Sequence, residues 1–116
     1  MIGLKKAYRV KNNKEFQEIL YTGKSFANRE LVIYYKEKAS QEHFRIGISV
    51  GKKIGNAVTR NKVKRHIREA FIHLDRHIKP EVDIIIIARK PTLHMDTSKM
   101  IKSVSHLLRK QRLFYK

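Results

Sequence analysis

Arg60, Asn61, Lys64, Arg65 and Arg68 are spaced so that a helix would gather five strong hydrogen-bonding groups on one side. At about 100° per residue they span an arc of roughly 140°. A guanidinium group matches phosphate oxygens with two parallel N–H donors, and an ammonium group adds a compact positive charge. The surrounding window points the same way. Between Glu42 and Glu69 there is no acidic residue, while Arg45, Lys52, Lys53, Arg60, Lys62, Lys64, Arg65 and Arg68 all fall inside it. A solvated basic helix normally places Glu four residues from Lys or Arg for support. Here the repulsion is left uncompensated within the helix, and a bound phosphate chain would offset it. A solvated face is the bland alternative; the missing acids favour polyanion binding.

The approach to this helix adds to the case. Gly51-Lys52-Lys53-Ile54-Gly55-Asn56 supplies two flexible positions and two ammonium groups just before a helix N-terminus. Free backbone N–H groups and the positive dipole end suit a phosphate there. The Gly-x4-Gly-Lys-Ser/Thr order of a P-loop is absent.

No catalytic constellation accompanies these cations. Among six histidines, His73 and His77 are four apart, a helical metal-ligand spacing, but no Cys exists and Pro80 follows closely. A surface pair is the simpler reading. The carboxylates form no Asp-x-Asp or Glu-x-x-Glu cluster, and hydrolysis assisted by two metal ions needs clustered acidic ligands. Neither a catalytic residue nor a metal ligand is therefore assigned. Asp83, inside an apolar run, is expected to pair with a nearby Arg or Lys.

The elements that must position the basic face follow from composition and periodicity. With 116 residues the chain has room for one domain, 1–116, with a modest core. Its 41% apolar content argues against a disordered basic tail. Twenty-seven basic against 10 acidic side chains give +17, a self-repulsion that makes sense chiefly with a polyanion as partner. The longest apolar run, Ile84 to Ala88, falls far short of the roughly 20 residues of a membrane span. Lys5 and Lys6 are not followed by an apolar signal segment, and cysteine is absent; a reducing cytoplasm is the expected location.

Asn12 to Leu20 opens with a capping-box pattern, Asn12 to Glu15, and carries Phe16, Ile19 and Leu20 on one stripe, with Gly23 placed to end the helix. Leu31 to Lys38 and Phe44 to Val50 alternate like strands, and a short additional strand fits around Ala27 or earlier. Ala57 to Leu74 is helical, with the stripe Val63, Ile67, Ala70, Phe71 and Leu74. Val82 to Ala88 reads as a strand buried on both faces, hence central. A last helix opens at Asp96 or Thr97, with Met100, Ile101, Val104, Leu107 and Leu108 inward. The order predicts an α+β fold with helices packed on a sheet.

The run from Lys52 to Glu69, Lys-Lys-Ile-Gly-Asn-Ala-Val-Thr-Arg-Asn-Lys-Val-Lys-Arg-His-Ile-Arg-Glu, closely resembles the Arg-Asn-Arg signature of the bacterial ribonuclease P protein subunit. Lys5-Lys6, Phe16-Gln17, Ala27-Asn28-Arg29 and Ile84 to Pro91 extend the likeness over nearly the whole chain. The resemblance implies an α-β sandwich of about four strands and three helices, of the ribosomal protein S5 domain 2-like type. It also implies a left-handed β-α-β crossover, against the right-handed preference of about 98%. Family members assist an RNA catalyst that removes the 5′ leader of precursor tRNA. They contact ribonuclease P RNA and the leader, raising substrate affinity and lowering the magnesium demand.

Carried to this chain, Lys53, Arg60, Asn61, Lys64, Arg65 and Arg68 would face the catalytic RNA, and Phe16, Leu20 and Tyr34 would line a cleft for single-stranded leader. Leu20 stands where relatives often carry an aromatic, so only apolar contact is expected there. Phe16 has two readings, core residue or stacking platform. The resemblance further implies Mg2+ required by the holoenzyme without dedicated protein ligands, a 1:1 complex with the RNA subunit, and no membrane partner. The alternatives are a structural RNA-binding protein, against which only the long signature speaks, and a nuclease in its own right, against which the missing acidic cluster counts. Membrane-surface binding is disfavoured because the cations of the last helix sit at its ends.

Overall fold

Alternation in the Leu31 strand turns Leu31, Ile33 and Tyr35 to one side, and all three are buried. The computed structural model describes residues 8–10 and 12–115; Lys5 and Lys6 of the resemblance lie outside them. Four strands form one sheet: β1 (Lys24–Ala27), β2 (Leu31–Glu37), β3 (Arg45–Ser49) and β4 (Val82–Ala88). Their order is β1-β2-β4-β3, with β2 antiparallel to β1 and β4, and β3 parallel to β4. The additional strand expected around Ala27 is β1. The Val82 strand is central, as burial of its Ile84 to Ala88 run on both faces requires.

Helices α1 (Asn13–Thr22), α2 (Ala57–Leu74) and α3 (Thr97–Lys110) complete the α+β fold. Helices α2 and α3 pack on one face, where Val63, Ile67, Phe71, Met100, Val104, Leu107 and Leu108 meet Ile33, Ile84 and Ile86. Asp96 caps α3 by accepting the Lys99 N–H at 2.9 Å. The opposite face carries α1, whose Ile19 is fully buried, as is Ile85 beneath it.

The β3–α2–β4 crossover is left-handed, which follows from register and chirality. Arg89 N–H donates to Glu30 O and Lys38 N–H to Glu81 O, each at 2.9 Å. The odd residues of β4 therefore turn their peptide groups to β2, and Ile84 and Ile86 turn theirs to β3. These two isoleucines point their side chains at α2 and α3. For an L residue on an ascending strand with its side chain toward the viewer, the peptide groups point right. β3 thus lies to the right of β4, and the chain moves leftward through α2 in front of the sheet.

The start of α1 carries the expected Asn12 cap. Asn12 Oδ1 accepts the Glu15 N–H at 2.9 Å, as expected. The Glu15 carboxylate also accepts from Arg45 Nη2 on β3 at 2.8 Å, a strong contact because both groups are charged. Gly23 ends the helix with ordinary extended backbone (φ −80°). Its need is space: a Cβ there would sit 2.5 Å from Ile19 O and 2.6 Å from Tyr35 O.

Candidate nucleic-acid interface

Helix α2 divides as its periodicity requires. Val63, Ile67, Ala70, Phe71 and Leu74 are all buried, and His66, outside the expected stripe, is buried with them. The five polar residues of the opposite side separate into two columns. Arg60, Lys64 and Arg68, spaced by four, are half-buried; Asn61 and Arg65 are exposed to solvent. Asn56 caps the helix by accepting the Thr59 N–H at 2.9 Å. Just before it, Lys52 and Lys53 stand exposed on a 3-10 turn, Lys52–Ile54. Of the two glycines framing that turn, Gly55 has φ +156°, a region closed to L side chains, and Gly51 is ordinary.

None of Lys53, Arg60, Lys64, Arg65 and Arg68 forms an ion pair among the described residues; the paired cations there are Lys36, Lys38 and Arg45. Arg60 Nε is shielded from solvent without a hydrogen-bond partner among those residues. Burial, and then the neighbouring Arg9 guanidinium, hold the Arg68 pKa below the ordinary arginine value. Both causes disfavour the charged form, so this helix face keeps its charge at a cost that an anion would offset.

A groove of about 190 Å³ joins this face to α1. Arg9, Phe16, Gly47, Lys64 and Arg68 line it, with Val10, Ile46 and Ile48. Residues 8–10 reach it by running along the free edge of β3, where Val10 N–H donates to Ile46 O at 2.9 Å. The Phe16 ring lies over Gly47 so closely that a Cβ there would be 2.7 Å from Phe16 Cε2. Phe16 is half-buried, as are Leu20 one turn further along α1 and Tyr34 on the same sheet face. The buried residue of α1 is Ile19 alone. Phe16 is thus a half-covered ring over a glycine, in a groove lined by three cations, a setting suited to stacking.

Sequence reasoning missed Arg9 and Gly47. An isolated glycine inside a strand pattern signals close approach, which could have found Gly47. Nothing local marks Arg9, because its position depends on pairing across the edge of the sheet.

Two groups leave the interface. Arg45, counted among the cations of the acid-free window, is removed from it by carboxylates outside that window: it donates to Asp83 at 3.0 and 2.7 Å and to Glu15 at 2.8 Å. His73 and His77 do not share a helix face. α2 ends at Leu74, and His77, on the following 3-10 turn, packs edge-on against Phe114. Among the described residues no group of three His, Asp or Glu side chains could hold a metal ion. No described helix is long and apolar enough to cross a membrane.

Comparison with known proteins bears on the family and the fold. The family model described as Ribonuclease P matches residues 4–112. The ribonuclease P protein component of Oceanobacillus iheyensis is 59% identical over 95% of this chain and 91% of its own length. The structure of the Staphylococcus aureus RNase P protein superimposes with a TM-score of 0.85 at 48% identity, covering 95% of this chain and all of that one. The Thermotoga maritima RNase P protein gives 0.80 at 30% identity over 88% and 96% of the two chains.

Proposed function

Since the chain belongs to the bacterial ribonuclease P protein family, we propose that it is the RNA-binding subunit of a ribonucleoprotein in which RNA performs the hydrolysis. Lys53, Arg60, Asn61, Lys64, Arg65 and Arg68 hold the catalytic RNA by its phosphates. Phe16, Leu20 and Tyr34 receive the single-stranded 5′ leader of precursor tRNA. The observation that carries this reading is the pair of α2 columns whose cations have no carboxylate partner among the described residues. The groove supports the second half, since it sets Phe16 beside Lys64 and Arg68.

The protein's own residues bind and orient; none is assigned a proton transfer. The holoenzyme requires Mg2+, which would supply the hydrolytic chemistry at the RNA, and no residue of this chain is assigned as its ligand. By adding cations where leader and catalytic RNA meet, the protein lowers the magnesium concentration needed. The complex is 1:1 with the RNA subunit, works in the cytoplasm and has no membrane partner.

The test is cleavage of precursor tRNA at magnesium too low for ribonuclease P RNA alone. Addition of this protein is expected to restore cleavage, and the protein without RNA is expected to cleave nothing. Cleavage by protein alone would make it a nuclease. No effect on RNA-driven cleavage would leave a structural RNA binder.

Phe16 and Gly47 give a finer check. Phe16→Ala is expected to weaken binding of leader-bearing tRNA by about 1–3 kcal/mol, with little change for tRNA lacking a leader. Its stability loss should stay below the roughly 3–5 kcal/mol of a fully buried Phe. Gly47→Ala is expected to lower leader affinity in the same direction, because the new methyl displaces the ring. Calorimetry of both variants, with and without leader, separates the readings; a collapse of thermal stability in Phe16→Ala would make the ring core.

A further inference from the structure

A larger concave surface lies between the β1–β2 turn, a 3-10 turn at Lys90–His94, and α3, enclosing about 850 Å³. That is within the roughly 300–1,000 Å³ of small-ligand sites. Its floor is a fixed hydrogen-bond network. Buried Ser103 donates its hydroxyl proton to Glu30 Oε1 at 2.9 Å, and its hydroxyl oxygen accepts from Asn28 Nδ2 at 3.0 Å. Asn28 Oδ1 in turn accepts the Glu30 and Leu31 N–H groups at 3.0 and 2.8 Å.

One side of the pocket is apolar, formed by Pro91, Leu93 and Met95, and Leu93 is one of the few exposed large apolar side chains. The lining also includes four cations, Arg29, Lys90, Lys99 and Lys102, none of them ion-paired among the described residues. Glu30 is the single acidic lining residue. Its one negative charge stands against those four cations, so the lining is net positive. The Lys90–His94 turn also packs against α2 and the Lys52–Ile54 turn, so the pocket adjoins the approach to the basic helix.

We propose that this pocket holds one unpaired nucleotide of a bound RNA strand, with its base against Leu93 and Met95 and its phosphate between Lys99 and Lys102. Apolar contact to a base face beside cations is sequence-tolerant. A free phosphate would leave the apolar side unused. The proposal rests on the reading of the protein as an RNA binder but on none of the residues assigned above.

The test follows backbone amide resonances of the full chain during titration with a uridine pentanucleotide, and separately with inorganic phosphate at matched ionic strength. The amides of Met95, Ser103 and His106 are expected to shift with the oligonucleotide, and to do so still in the R60A/R65A protein. Apparent affinity read at these amides is expected to fall at least tenfold in K99E/K102E, whose two sites are solvent-exposed and leave the fold intact. Identical shifts with phosphate alone would overturn the nucleotide reading in favour of an anion site. Pocket shifts that vanish in R60A/R65A, or shifts confined to α2 and the groove beside Phe16, would also overturn it. A response on α2 without one at the pocket sinks this proposal alone, whereas no response anywhere sinks the RNA-binding reading with it.

Discussion

Arg45→Met is expected to lower the unfolding free energy by about 3–5 kcal/mol, the range for leaving one member of a buried ion pair without its partner. Asp83 is 0% exposed near the start of β4. Arg45 on β3 grips it with two donors at 3.0 and 2.7 Å and reaches α1 through Glu15 Oε2 at 2.8 Å. The Asp83 carboxylate, before that of Glu15, raises the Arg45 pKa well above the usual arginine value. Removing the guanidinium leaves a carboxylate inside the sheet with no route to water.

Urea denaturation at fixed phosphate concentration measures the effect, since anions bound to the folded state add to its stability. The double variant Arg45→Met/Asp83→Leu is expected to recover most of the loss, because the uncompensated charge is then gone. A loss below about 1 kcal/mol in the single variant, the scale of a surface pair, would mean that the pair is not buried in solution. Since the same guanidinium ties α1 to the sheet, the variant is also expected to loosen Phe16 over Gly47 and weaken leader binding.

Arg60→Ala, Arg65→Ala and Arg68→Ala combined are expected to flatten the salt dependence of catalytic-RNA binding. Each lost phosphate contact reduces the slope of log K against log salt by about 0.7–0.9, so three reduce it by about 2 to 3. Over a tenfold range of salt the gap between variant and parent should close by roughly 100–1,000-fold. Stability should hold or rise, because alanine is the strongest helix former and Arg68 sits beside Arg9 without a carboxylate to offset the repulsion. Filter binding from low to high salt, with circular dichroism as a check on the helix, decides the matter. An unchanged slope would place the three side chains away from phosphate.

Much of this arrangement was legible in the residues themselves. The α2 stripe from Val63 to Leu74 and the columns opposite it follow from one angular period, a local property of any helix. The Ala57–Leu74 and Val82–Ala88 limits coincide with the expected ones because capping by Asn56 and the four-isoleucine run Ile84 to Ile87 are also local. The signature from Lys52 to Glu69 named the family before any fold existed. It also implied the left-handed crossover, which general topology rules oppose.

Tertiary structure decided what depends on neighbours distant in sequence. It assigned Arg45 to Asp83 and Glu15 instead of to the RNA face, for a carboxylate 38 residues away is invisible to any local window. It made Ile19, and not Phe16 or Leu20, the buried residue of α1, since the sheet covers only part of an apolar stripe. It brought Arg9 and Gly47 to Phe16 by edge pairing. All these outcomes have one physical origin: periodicity says which side of an element is apolar, but only packing says which charges meet an acid and which are left facing solvent.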